Sequence, residues 1–102
     1  MPSFSLTKKA LADVIKIGRY TQERWGVEQR NLYLAMLDNC FQQLSANPLK
    51  GRDCGEIRSG FRKMNAGSHV IFYRQKGSHA IEIVRVLHGC MDLEARIPSD
   101  QN

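Results

Sequence analysis

An apolar stripe with helical spacing runs through residues 28–46 and limits what this chain can fold into. Its members recur every three or four residues, so they lie on one side of an α-helix: Tyr33, Met36, Leu37, Cys40, Phe41 and Leu44. The opposite side is polar and includes Gln42 and Gln43. Because a helix with one apolar face needs another element to cover it, the sequence predicts a helix that packs on a sheet or on a second helix.

An earlier helix is predicted directly before this one. Residues 3–7 alternate as a short strand does, Thr7 is placed to cap a helix that runs to about Trp25, and Gly26 supplies the glycine that ends it. The apolar positions predicted to face the core are Leu11, Val14, Ile15 and Gly18, widened by Ile17 and Tyr20. With only a glycine break between them, the two helices should form an antiparallel hairpin.

The rest of the chain is predicted to form a sheet. Asn47-Pro48 ends the second helix, and residues 48–56 form a connector. Three strands are predicted after the connector, at about 57–64, 68–74 and 80–87. Their short, glycine-containing joints suit hairpins. The sequence therefore predicts an α+β fold of order β-α-α-β-β-β, with a helical hairpin packed on a small, mainly antiparallel β-sheet, as a single domain over 1–102.

Both faces of the last two strands are half apolar. In the last strand, one alternating set is Ile81, Ile83, Arg85 and Leu87, and the other is Glu82, Val84, Val86 and His88. A sheet with one face in water shows a cleaner alternation. Since a helical hairpin covers only one face, the pattern predicts that a protein partner covers the other.

Positive charge is concentrated in the strand region. The chain has a formal net charge of +5, and five basic residues with no Asp or Glu lie between Ile57 and Ile81: Arg58, Arg62, Lys63, Arg74 and Lys76. Such a surface attracts polyanions or an acidic protein partner. The alternative is a solvated basic face that serves solubility. The predicted partner-binding residues are Arg58, Arg62, Lys63, Arg74, Arg85, Tyr73, Val84 and Val86.

Metal, cofactor and membrane functions find no support in the sequence. Cys40, Cys54 and Cys90 are widely spaced and form no CxxC pair, so they are expected to be reduced thiols that behave as small apolar residues. The N-terminal residues lack the apolar core of a secretory signal, and no apolar run approaches the ~20 residues that span a membrane. A cytoplasmic protein without metal or cofactor is expected.

Catalytic chemistry also has few candidates. The sequence contains no glycine-rich phosphate loop, nucleophile elbow or pair of carboxylates. His88, at the end of the last strand and close to Arg85, suits a general acid or base in a phosphate-binding cleft. The alternative is a strand-end histidine that bonds to a backbone carbonyl. The sequence therefore favours a protein that acts by binding.

Several segments resemble the ParE toxins of the ParE/RelE toxin–antitoxin superfamily. They are FSLTKKALADV, RYTQERWG, NPLKGRDCGEIRSGFRKM, GSHVIFYR and IVRVLHGCMD, which together cover nearly the whole chain. The resemblance implies the β-α-α-β-β-β fold already predicted. It also implies a toxin that inhibits DNA gyrase and blocks replication, in a system that stabilises a plasmid or chromosome. A ParD-like antitoxin would neutralise the toxin, and their hetero-oligomer would bind operator DNA through the antitoxin.

The same superfamily leaves two alternatives open. RelE-type members are ribosome-dependent endoribonucleases that use basic residues of the sheet with a Tyr or His near the C-terminus. After His88 this chain has no His, Tyr, Phe or Trp, which departs from the RelE pattern. His88 itself keeps the ribonuclease alternative, in which His88, Arg85 and Arg62 would be catalytic. The other alternative is a degenerate toxin that only binds antitoxin.

Overall fold

Two helices cover one face of a five-stranded sheet in the computed structural model, which describes residues 3–56 and 58–89. The elements in chain order are β1 (Ser3–Leu6), α1 (Lys8–Trp25), α2 (Val27–Ala46), β2 (Arg52–Asp53), β3 (Phe61–Ala66), β4 (His69–Gln75) and β5 (Ala80–His88). The strands lie side by side in the order β1-β5-β4-β3-β2. β1 runs parallel to β5, and the other neighbours are antiparallel.

The predicted order β-α-α-β-β-β is confirmed, with one addition and one boundary change. The addition is the two-residue strand β2, which lies within the predicted connector and pairs with β3. The boundary change concerns the first of the three strands predicted after the connector. It was predicted from about 57 and begins as β3 at Phe61, because residues 58–60 form a bend and turn. Residue 57 lies outside the described residues. The third predicted strand, from about 80, is β5. No helix within the described ranges is long and apolar enough to cross a membrane.

The two predicted helix signals at the ends of α1 are confirmed. The Thr7 hydroxyl accepts a hydrogen bond of 3.0 Å from the Ala10 amide and caps the helix. Gly26 has φ +92°, a conformation that glycine adopts without steric cost, and it alone separates α1 from α2. Gly18 lies against Leu34, so the helices return past each other as an antiparallel hairpin.

The predicted buried side of α1 is confirmed only in part. Ile17 and Gly18 are buried and Val14 packs at the edge of the core, as predicted, whereas Leu11, Ile15 and Tyr20 are 50–55% exposed. The other buried residues of α1 are Ala10 and Thr21. This side contains small and polar residues that a count of apolar positions does not register. The buried Thr21 hydroxyl is satisfied because it donates to the Ile17 carbonyl at 2.7 Å.

The stripe of α2 is confirmed as the centre of the core. Leu37, Phe41 and Leu44 are buried, and Tyr33, Met36 and Cys40 pack at its edge. They meet the helix-side face of the sheet, whose buried residues include Ile71, Tyr73, Ile81, Ile83 and Val86. Cys40 and Cys54 are free thiols; burial raises the pKa of each, which keeps them protonated. Cys90 lies outside the described residues.

The alternation predicted for the last strand is wrong beyond Ile83. Tyr73 pairs with Ile83 and Phe72 with Arg85, so Val84 is an extra, unpaired residue that forms a β-bulge. The bulge shifts the alternation by one position. As a result Val86 joins the helix-side core, whereas Val84 and Leu87 belong to a second cluster on the opposite face.

That second cluster contradicts the prediction that a protein partner must cover the apolar residues on the sheet face away from the helices. Its members are Cys54, Phe61, Val70, Phe72, Val84 and Leu87, and all are at most 8% exposed within this single chain. Because Cys54 follows β2 within the predicted connector, the connector helps to bury this face of the sheet. The apolar residues of the second face therefore form a small core of their own and offer no uncovered surface.

The position of the core gives a direct stability test. Leu37 is 1% exposed and Leu32, on the same helix, is 66% exposed. Leu37→Ala should lower the free energy of unfolding by roughly 2–5 kcal/mol, because it leaves a cavity in the core. Leu32→Ala, the matched control, should cost less than about 0.5 kcal/mol in the same urea titration. Equal losses would mean that the buried side of α2 is misplaced.

Candidate functional site

The predicted basic residues do not share one surface. Directly opposed residues of neighbouring strands point to the same face. Lys63 lies opposite Phe72, and Arg74 lies opposite Phe61, so both basic residues belong to the face away from the helices. Arg62 lies opposite Tyr73 and therefore points to the helix side. The strand region thus presents basic residues on both faces.

The charge of Arg74 is balanced by an acidic residue of the next strand. Its guanidinium forms an ion pair of 2.9 Å with Glu82 of β5 and lies over the Phe61 ring. Lys76 also approaches Glu82, at 3.9 Å. The segment between Ile57 and Ile81 contains no Asp or Glu, but in the folded chain Glu82 lies next to two of its basic side chains.

Arg62 and Tyr73 bind the backbone of the connector. The Arg62 guanidinium donates to the Gly51 carbonyl at 2.7 Å. The Tyr73 hydroxyl donates to the Pro48 carbonyl at 2.7 Å and accepts from the Gly51 amide at 2.8 Å, and burial raises its pKa. A Cβ at position 51 would lie 2.4 Å from this hydroxyl, so the close approach requires glycine.

Arg85 is engaged by the helical hairpin. Its Nε and Nη2 atoms donate to the two carboxylate oxygens of Asp13 at 2.8 and 2.9 Å, and these hydrogen bonds raise the pKa of the guanidinium. The same carboxylate accepts from the Val86 amide at 3.0 Å. Both side chains are at most 15% exposed. This bidentate pair ties α1 to β5 and is a structural contact.

The structure corrects three of the predicted partner contacts. Tyr73, Val84 and Val86 are buried within the chain, at 0–3% exposure, and present no surface to a partner. The sequence pattern placed Val84 and Val86 on an open sheet face because it could not register the bulge or the second core. Arg58 is half-buried in the turn before β3. The partner role of Lys63, Arg62, Arg74 and Arg58 stays a prediction.

A cationic patch lies at the β2–β3 edge, and we call it the basic edge. Arg52 of β2 and Lys63 of β3 stand directly opposite each other, and Lys50 lies beside them around a depression of about 280 Å³. Like charges in directly opposed positions destabilise a sheet unless an anion lies nearby. The basic edge is therefore suited to an acidic segment of another molecule.

A second candidate site lies on the helix side of the sheet, near Gly26, where α1 is joined to α2. This cleft of about 510 Å³, which we call the ring cleft, is lined by Tyr20, Thr21, Trp25, Gln29, Tyr33, Ser68, His69 and His88. Tyr33 organises its floor: its hydroxyl lies 2.6 Å from Nδ1 of His69 and accepts from the Ser68 amide at 3.0 Å. The His69 and His88 rings meet edge to face, with centroids 5.5 Å apart.

The outer wall of the ring cleft is formed by two exposed aromatic residues. Trp25 is 61% exposed and Tyr20 is 55% exposed, and their rings meet edge to face. The Arg24 guanidinium lies 5.4 and 5.6 Å from the two ring centres, which restricts their orientation. Sequence reasoning missed this site. The available signal was Trp25, which falls directly before the predicted stop at Gly26.

The histidine that a ribonuclease would use lies apart from its expected arginines. His88 is exposed and packs against His69 in the ring cleft, Arg85 is held by Asp13, and Arg62 is held by Gly51. The structure does not bring His88, Arg85 and Arg62 together around one cleft. The pKa of His69 is lowered, mainly by burial and also by the neighbouring His88. Asp13 acts in the opposite direction, but its effect is smaller.

The fold of this chain is shared with chains of two solved toxin–antitoxin structures. It is similar to a chain in the structure of the chromosomal ParDE toxin–antitoxin system from P. aeruginosa, with a TM-score of 0.73 and 22% identity, over 86% of this chain and 96% of that one. It is also similar to a chain of the toxin–antitoxin complex RelBE2 from Mycobacterium tuberculosis, with a TM-score of 0.63 and 22% identity, over 88% and 93% of the two chains.

Sequence comparison gives the family. Residues 4–93 match the family described as the ParE toxin of the type II toxin–antitoxin system parDE. Toxin ParE1 of Mycobacterium tuberculosis is 44% identical over 94 residues, which cover 92% of this chain and 96% of the relative. The chain belongs to the ParE toxin family and is the toxin component of a type II toxin–antitoxin system.

The lowered pKa of His69 gives a pH-dependent stability. As the pH falls, His69 takes up a proton near pH 6.5 in the unfolded chain and at a lower pH in the folded chain. The contribution of neutral His69 to the free energy of unfolding is therefore complete above pH 6.5 and decreases as the pH falls below it. His69→Asn, which keeps an acceptor for Tyr33, should flatten the change in unfolding free energy between pH 7.5 and 5. Ser68→Ala, in the same turn, should keep the wild-type slope. A wild-type slope in His69→Asn would contradict this assignment.

Proposed function

We propose that this toxin binds DNA gyrase and blocks replication, acts in the cytoplasm, and catalyses no reaction of its own. The observation that carries the proposal is the separation of His88 from Arg85 and Arg62, which are held by Asp13 and Gly51. Cleavage of RNA requires a proton donor or acceptor within hydrogen-bond reach of the reacting phosphate and its cationic clamp. Inhibition by binding requires only complementary shape and charge.

We further propose that a ParD-like antitoxin silences the toxin through the basic edge. Lys50, Arg52 and Lys63 meet there on two strands and the connector, and an acidic antitoxin segment would relieve the repulsion between Arg52 and Lys63. Charge complementarity of this kind raises the association rate and excludes partners of the wrong sign. The complex would contact operator DNA through the antitoxin, since the cations of the basic edge would then be covered.

A supercoiling assay tests the proposed function. Purified toxin, added to DNA gyrase, relaxed plasmid and ATP, should reduce supercoiling in proportion to its concentration. His88→Ala should inhibit as strongly as the wild type, because removal of a general acid or base affects a catalyst by about 10²–10⁴-fold and a binder hardly at all. A parallel translation reaction should show no cleaved transcripts.

Three results would contradict the proposal. Ribosome-dependent transcript cleavage that His88→Ala abolishes, with normal supercoiling, would establish the ribonuclease alternative. Normal supercoiling and normal translation, with tight binding to the antitoxin, would identify a degenerate toxin. Inhibition by the wild type but not by folded His88→Ala would show that His88 belongs to the mechanism of inhibition.

A further inference from the structure

The ring cleft differs in chemistry from the basic edge. No Asp, Glu, Lys or Arg is among the described residues that line it. Burial also lowers the pKa of His69, so this ring is neutral at pH 7. The basic edge instead presents three cations. A partner selected by negative charge is thus directed to the basic edge, and the ring cleft suits a segment with an apolar or aromatic side chain.

The two sites also lie on opposite faces of the sheet. His69 contacts Tyr33 of α2, which places the ring cleft on the helix side. Lys63 and Arg52 share the other face with Phe72. One small protein can therefore use the two sites for two different partners.

The two exposed aromatic residues of the ring cleft, together with Arg24 beside them, have the composition of a protein-binding hot spot. Trp, Tyr and Arg are the residues enriched where a few side chains supply most of the binding energy. Tyr20, Arg24 and Trp25 lie together at the end of α1, and the two rings remain more than half exposed although they are packed against a guanidinium. Rings that are already oriented lose little conformational entropy when a partner binds.

We propose that the ring cleft is the surface that contacts the toxin's protein target, with an apolar or aromatic side chain of that target packed against the exposed rings of Tyr20 and Trp25. The antitoxin's acidic segment occupies the basic edge instead. This inference rests on the proposed function, in which the target is DNA gyrase, and it assigns the two partners of the toxin to separate surfaces.

Reciprocal variants of the full-length toxin test this assignment. Tyr20→Ala with Trp25→Ala should raise the concentration that half-inhibits supercoiling by at least about tenfold, and should leave the antitoxin Kd within about twofold. Arg52→Glu with Lys63→Glu should weaken antitoxin binding by at least about tenfold and leave gyrase inhibition unchanged. Leu32→Ala with Leu49→Ala removes equally exposed apolar side chains elsewhere and should alter neither reading.

Two further measurements test the ring cleft without removing any of its side chains. One is a variant that adds a bulky side chain, and the other is a spectroscopic probe. Gln29 is an exposed lining residue, and Gln29→Trp should obstruct the ring cleft and weaken gyrase inhibition in a folded protein. Trp25 is the single tryptophan of the chain, so 5-fluorotryptophan gives one ¹⁹F resonance. That resonance should shift or broaden with unlabelled gyrase and stay in place with the antitoxin.

The outcomes separate the inference from the proposed function. Undiminished gyrase inhibition by folded Tyr20→Ala with Trp25→Ala would overturn the inference while the proposed function stands. Loss of antitoxin binding in that variant, with or without loss of inhibition, would also overturn it, because the ring cleft would then belong to the antitoxin. If the wild type fails to inhibit gyrase, the proposed function fails and the inference fails with it.

Discussion

The carboxylate of Asp13 joins the helical hairpin to the sheet. One of its oxygens accepts from both Arg85 and the Val86 amide, and the other accepts from Arg85. The position of this contact follows from the length of β1, whose pairing with β5 ends at Ile83. Beyond that residue none of the strands in residues 3–56 and 58–89 pairs with this edge of β5, and polar side chains of α1 and its cap form hydrogen bonds to it instead. The Thr7 hydroxyl, for example, donates to the Val84 carbonyl at 2.8 Å.

Both candidate surfaces depend on this connection. Since α1 carries Tyr20 and Trp25 while β5 carries His88, the shape of the ring cleft is set by how α1 sits on β5. The same packing turns the other face of the sheet outward, where the basic edge lies. A toxin that works by binding needs this fixed geometry more than it needs a titrating group, because complementary surfaces lose less entropy when they are preformed.

The sequence predicted the elements whose signal is local. The stripe around Leu37, the Thr7 cap and the Gly26 break all depend on neighbours within a few residues, and each is confirmed. Features decided by distant partners were missed. Asp13 is nearly buried only because Arg85 meets it from another element, and the bulge at Val84 is visible only when β4 is laid beside β5.

A double-mutant cycle on Asp13→Ala and Arg85→Ala tests the connection most directly. Urea unfolding of the wild type, both single variants and the double variant should give a coupling of about 1–3 kcal/mol, since the pair is bidentate and largely shielded from water. Asp13→Ala should cost more than Arg85→Ala, because it also leaves the Val86 amide without an acceptor. A coupling near zero, with equal costs for the two single variants, would contradict the view that Asp13 holds the hairpin on the sheet.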